Sequence, residues 1–162
     1  MTDRDFVLQT MQQAGLAQAQ ALQVKAKDMT GTELYEAEDY IPDFQAAKAA
    51  TNMLERKAGQ EDGFVCRSSA GRVVRLIQAY NSETYPDEPE KLPAQWRFVW
   101  STDPKKALPF IELNTSPYNT GDCCTYNGRV WRSGQDSNTW APGTINIKWD
   151  DLGPLDQYGL VE

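Results

Sequence analysis

Two stretches of this chain carry the same landmarks in the same order, which limits the fold to something built twice. The first runs through Gly63-Phe64-Val65-Cys66, then Gly71-Arg72-Val73-Val74-Arg75, Tyr85-Pro86 and Trp96. The second runs through Gly121-Asp122-Cys123-Cys124, then Gly128-Arg129-Val130-Trp131-Arg132, Trp140-Ala141-Pro142 and Trp149. Each reads as strand, glycine turn, returning strand, polar loop, aromatic with proline, and closing tryptophan. A unit of about 35 residues buries too little core to stand alone, and a duplicate supplies the missing support. The pattern predicts a pair of display modules, with no enzyme cleft implied.

The local chemistry of the second unit is explicit. Asn127-Gly128 supplies the positive φ angles that a tight hairpin turn needs. Val130 and Trp131 then return on opposite faces of a strand. Pro142-Gly143 redirects the chain so that Trp149 can close over a small core. Trp131 and Trp149 are therefore expected in the core first, with Val74 and Trp96 in the matching places. All five tryptophans lie from Trp96 onward, so the weight of the core sits C-terminal.

Composition removes several classes of function. The net charge is −7, and the few basic runs (Lys105-Lys106, Arg72 with Arg75, and Arg129 with Arg132) are short. These read as solvated faces, and no nucleic-acid partner is expected, because phosphate binding needs clustered Lys and Arg. The chain has no histidine, which removes the commonest general base and zinc ligand. Its three cysteines are an odd number without C-x-x-C spacing, so neither a disulfide framework nor a metal knuckle follows. Cys123 and Cys124 should face opposite ways on a strand, one buried and one half-exposed; Cys66 and Cys124 hold equivalent places in the two units. The acidic residues gather in loops (Asp87, Glu88 and Glu90; Asp150 and Asp151) as solvation. No catalytic residue, metal ligand or cofactor is assigned. The N-terminus lacks a positively charged leader, and no apolar run approaches the roughly 20 residues of a membrane span, so neither a signal peptide nor a membrane partner is expected.

Upstream of the units, residues 5–27 read as an Ala- and Gln-rich helix with Asp3 or Asp5 near its N-cap. Val7, Met11, Ala14, Ala21 and Val24 fall on one thin stripe, and Gly15 weakens the case for one unbroken helix. Such a helix either lies on the body or pairs with copies of itself. A turn at 28–32, a short acidic helix over 33–39 stopped by Ile41-Pro42, and a connector from Phe44 follow. Residues 62–78 alternate as a hairpin, 81–93 form a Pro-rich surface loop, 96–100 make a strand, and 108–113 add a short one. The predicted organisation is a helical anchoring or oligomerisation segment over 1–50, a first β-module over 51–113, a second over 114–153, and a frayed tail over 154–162.

The second unit, from Tyr118-x-x-Gly121-Asp122 through Tyr126-x-Gly128-x-x-Trp131 to Pro142-Gly143 and Trp149, resembles the small β-module of the chitin- and cellulose-binding family 5/12. Leu76-Ile77-Gln78-Ala79-Tyr80-Asn81-Ser82 and Leu92-Pro93-Ala94-Gln95-Trp96 look like versions of it found in tailed-phage structural proteins. Met29-Thr30-Gly31-Thr32, Ile41-Pro42-Asp43-Phe44 and Trp100-Ser101-Thr102-Asp103-Pro104 look like connecting pieces of such phage and prophage proteins. The resemblance covers about residues 29–152. It implies an α+β, β-dominated fold: an N-terminal helix followed by two small antiparallel β-modules of carbohydrate-binding 5/12 type.

Sugar-binding members carry an exposed aromatic pair just after the returning strand, where this chain has Gln135-Asp136 and Gln78-Ala79. Amide and carboxylate side chains cannot replace a flat stacking surface. The remaining candidates for a ligand platform are Trp140, Tyr126, Tyr80 and Tyr85, with Trp140 foremost. The expected function is a non-catalytic structural protein of a tailed-phage virion, in a tail fibre or capsid decoration, that uses repeated modules for adhesion or assembly. Its expected partners are other virion proteins, host surface polysaccharide, and copies of itself bound through the N-terminal helix. Two alternatives stand beside it: a secreted or cell-associated polysaccharide-binding module, and a purely architectural virion subunit.

Overall fold

The computed structural model describes residues 2–161, without the side chains of Val7, Leu8, Thr10 and Met11. Helix α1 spans Asp3–Lys25 without interruption at Gly15. Its N-cap is Thr2, whose hydroxyl accepts the Asp5 N–H while the Asp5 carboxylate accepts the Thr2 N–H; this reciprocal box satisfies two donors that the first turn leaves free. Of the stripe expected to be apolar, Val7 and Met11 lie outside the described side chains, and Ala14, Ala21 and Val24 are exposed. The face that packs is formed by Gly15, Ala19, Leu22, Gln23 and Ala26. That face carries a glycine and a glutamine, so hydropathy alone does not mark it.

Two long side chains fasten the end of α1 to the first sheet. Gln23 donates to the Val65 carbonyl at 2.7 Å and accepts the Val65 N–H at 2.9 Å. Arg75 donates to the Ala26 carbonyl at 2.9 Å and also to the Glu61 carbonyl. The short α2 (Gly31–Glu36) has its own capping box between Thr30 and Glu33. A side chain at Gly31 would collide with the Trp100 carbonyl, so only glycine lets α2 approach there. Leu34 and Tyr35 are buried, and the Tyr35 hydroxyl accepts the Val73 N–H while donating to the Val99 carbonyl. Helix α3 (Phe44–Ala50), N-capped by Asp43, gives order to what the sequence presented as a connector.

The first sheet is an antiparallel meander of β1 (Val65–Arg67), β2 (Val73–Leu76) and β3 (Trp96–Phe98). The second has the order β4 (Leu108–Pro109), β5 (Cys123–Tyr126), β6 (Arg129–Ser133) and β7 (Trp149–Pro154). Among these strands only the β4–β5 pair is parallel. The fold is thus mixed α+β, with one long N-terminal helix and sheets of three and four strands.

The two meanders share one register. Cys66 pairs with Val74 and Val74 with Phe98; Cys124 pairs with Trp131 and Trp131 with Asp151. Leu76 faces Trp96 as Ser133 faces Trp149. Even the bond just outside the strands repeats: Leu76 N–H to the Phe64 carbonyl, and Ser133 N–H to the Asp122 carbonyl, both at 2.8 Å. One buried cluster draws on both sheets, with Cys66, Val74, Trp96 and Phe98 from the first and Cys124 from the second. Trp100 and Tyr118 stack between them, centroids 4.4 Å apart.

Several expectations change. Arg72 and Arg75 are buried at 8% exposure, not part of a solvated face. Arg72 reaches Glu90 and the Pro109 carbonyl, and Arg75 answers the end of α1. Desolvation pushes the Arg75 guanidinium pKa down, with the Arg97 charge opposite adding to it. All three cysteines are free and buried, Cys123 and Cys124 alike, because both faces of β5 are covered. Beyond β7, Leu155 opens a 3-10 turn (Leu155–Tyr158) and is buried with Val130 and Cys123; the start of the supposed frayed tail belongs to the core.

Candidate ligand-binding surface

The second unit carries the molecule's half-open aromatic surface. Asn127 (φ 49°) and Gly128 (φ 75°) join β5 to β6, with Tyr126 directly opposite Arg129. That two-residue turn fixes register, so Cys124, Tyr126 and Trp131 share a face. The Trp131 indole N–H donates to the Tyr126 carbonyl at 3.0 Å. The Trp149 indole N–H donates to the Trp140 carbonyl at 2.8 Å. With their donors engaged inside the chain, both indoles have only ring surface to offer.

Trp140 is held from beneath. Buried Asn138 accepts the Trp140 N–H, donates to the Ser133 hydroxyl, and forms a backbone bridge with Tyr118. Gly143 (φ 94°) turns the chain behind it, with the Thr144 N–H and hydroxyl both on the Ala141 carbonyl. Phe110 joins the group, with its ring edge-on to Tyr126 at 6.1 Å and to Trp149 at 6.2 Å. Beside Tyr126 lies a pocket of about 430 Å³ lined by Leu108, Phe110, Asn127, Leu155 and Leu160.

The four sequence candidates divide by unit. Trp140 is 47% exposed, and Tyr126 is half-buried at the other end of the Phe110–Trp149 group. Tyr85 is 56% exposed on the loop of the first unit. Tyr80 is a correction: it is buried, and its hydroxyl accepts the Trp96 indole N–H at 3.0 Å. Burial raises its phenol pKa, with the Trp96 bond opposing. A residue that fills the core between Trp96 and the loop offers no ring to solvent. Gln135 and Asp136, at the missing aromatic pair, work as loop braces: Gln135 accepts the Lys148 N–H and Asp136 the Thr120 N–H.

Sequence reasoning missed Phe110 and Asp122. Phe110 follows a two-residue strand too short to show alternation. Asp122 sits where the first unit has Phe64 and accepts the Asn119 N–H at 2.8 Å. Burial pushes its carboxyl up to about 6, helped by the nearby Asp136 charge and opposed by the Asn119 bond. It lines a polar cleft of about 510 Å³ with Arg97, Thr115, Asn119 and Ser137. Its signal was the Gly-Asp pair, in which the Asp122 N–H donates to the Asn119 carbonyl and the carboxylate accepts the Asn119 N–H, closing the turn.

Among the described residues, no group of three Cys, Asp or Glu side chains could hold a metal ion, and no helix is long and apolar enough to cross a membrane. The surface can stack against flat apolar faces, such as the C–H side of a sugar ring, and can hydrogen-bond at its loop edges. No family model, curated protein or solved structure matches this chain.

Proposed function

We propose that the chain is a non-catalytic structural protein of a tailed-phage virion that displays two modules of carbohydrate-binding 5/12 type for adhesion or assembly. The observation that carries this reading is the shared register of two tryptophan-closed meanders, of which the second keeps Trp140 in solvent on a braced loop. Small rigid modules repeated on an assembly turn weak single contacts into avidity. In this reading the partners are other virion proteins, host surface polysaccharide and further copies of the chain, gathered through α1; the protein is made in the host cytoplasm and resides in the particle. Host polysaccharide stacks on Trp140, with Tyr126 a further contact beyond the Phe110–Trp149 group, and Tyr85 is a separate contact on the first unit.

The exposure of Trp140 also favours a second reading, a secreted or cell-associated polysaccharide-binding module. The burial of Tyr80 favours a third for the first unit, a purely architectural role. Two measurements on the full chain separate them. Probing gradient-purified particles from a producing culture should find the chain banding with the virion; its absence there would remove the phage reading. Pull-down on insoluble chitin, cellulose and bacterial cell wall should retain the chain, and Trp140→Ala should lose at least about tenfold in retention, since a stacked aromatic contributes on the order of 1–3 kcal/mol. Particle association without retention on any of the three leaves the architectural role in place of adhesion.

A further inference from the structure

We infer that α1 pairs antiparallel with α1 of a second copy of this chain, so that the two bodies sit at opposite ends of a shared helical hairpin. The inference specifies the self-association named above and rests on that part alone.

The reason lies in how little of α1 the body uses. Its 23 residues extend about 35 Å. Gly15 and Ala19 are half-buried, Leu22 and Ala26 are buried, and described side chains before Gly15 are exposed. From Phe6 through Val24 the helix has no charged residue, so no i,i+4 ion pair supports it. A helix standing in water usually needs such pairs or a packed face, and short unsupported helices are marginal. The face opposite the docked stripe bears Gln13, Ala17, Gln20, Ala21 and Val24 at 3–4 spacing, and Val24 is 74% exposed. These side chains are short or amide-bearing, which suits close helix–helix approach without long charged groups in the way.

Charge decides the occupant and its direction. The first turn holds Asp3 and Asp5, and the last holds Lys25, followed by Lys27. At 100° per residue, Asp3 and Lys25 lie on the same flank of the outward face, while Arg4 lies toward the docked side. Antiparallel pairing therefore sets Asp3 against the partner's Lys25 twice by symmetry, and opposes the two helix dipoles favourably. Parallel pairing sets like charge against like. The groove between α1 and Tyr40-Ile41-Pro42 stays open in this arrangement, as do both β-units.

Sedimentation equilibrium on the full chain should give twice the 18.2 kDa chain mass. Lys25→Asp should weaken dimerisation roughly tenfold, from two symmetry-related pairs turned repulsive, and Asp3→Lys in the same chain should restore it. Direction is read by cross-linking: oxidising a mixture of Asp3→Cys and Lys25→Cys chains should give the mixed disulfide dimer. A monomer at every concentration, association only with a different protein, or Asp3→Cys chains linked to themselves would each overturn the inference. None of these readouts depends on glycan retention or particle association, so this idea and the proposed function can fail separately.

Discussion

The two β-units follow the same hydrogen-bond pattern yet end in different states, one sealed and one half-open. At the Leu76 and Ser133 positions the first unit has an apolar side chain and the second a hydroxyl; opposite Val74 it has Phe98, where the second has Asp151 opposite Trp131. Trp96 is fully buried, with Phe44 and Tyr80 edge-on at 5.8 and 6.2 Å. Trp149 holds the equivalent place but is half-buried, touching Phe110 and Tyr118. The α3 segment closes over the first unit, whereas the second is met by the short 3-10 turn Leu155–Tyr158. Register alone sets which residues meet; the neighbouring elements set how much solvent they see.

The sharpest way to break this contrast is to remove the closing ring in each unit. Trp96→Ala should cost about 3–5 kcal/mol in urea unfolding, the range for a buried large-to-small change. Trp149→Ala, which already faces water on one side, should cost about half as much or less. Equal losses would show that the units are closed to the same degree. Next come the arginines that follow each turn glycine. Arg72 is buried with Glu90 and the Pro109 carbonyl, so Arg72→Ala should cost on the order of 3 kcal/mol. Arg129 pairs with Asp151 at the surface, and Arg129→Ala should cost under about 1 kcal/mol.

The smallest effect concerns the Phe64 and Asp122 positions. The Asp122 carboxyl is raised above its unfolded value, so its protonated form favours folding. That contribution is complete below the usual carboxylate range and is lost as pH rises through about 6. Asp122→Asn keeps an acceptor for the Asn119 N–H and cannot ionise. Its unfolding midpoint should vary less with pH from about 4 to 7 than the parent's, with the variant the more stable at the upper end. Parallel pH profiles would show that the Asp122 carboxyl stays solvated.

Local signals carried much of this fold. The turn glycines, the alternating strands and the closing tryptophans predicted both meanders; the acidic helix expected over 33–39 is present as α2, but it starts at Gly31, inside the expected turn, and ends at Glu36. Less legible was anything set by long-range partners. Arg72 and Arg75 flank two valines in a short basic group that reads as surface, but carbonyls from residues 26, 61 and 109 receive them in the interior. Gln23 looks like any solvent-facing glutamine until β1 arrives beside it. The parallel β4 is two residues long, below the length at which periodicity speaks. In the candidate surface, the solvent exposure of Trp140 and the partial exposure of Tyr126 were readable from their loop and strand positions. Tyr80 was not, because its burial depends on Trp96 and Phe44 arriving from elsewhere in the chain.

The amide clasp of Gln23 on Val65 has a consequence for crowding. It occupies the outward N–H and carbonyl of that residue, while the Pro42 carbonyl takes the Arg67 N–H. The β1 border of the first sheet is thereby closed to strand addition from a neighbour. Across the molecule, β7 carries Asp150, Asp151 and Pro154 along its free side, residues that discourage the same reaction. At these two borders, copies held close together are kept from joining sheet to sheet.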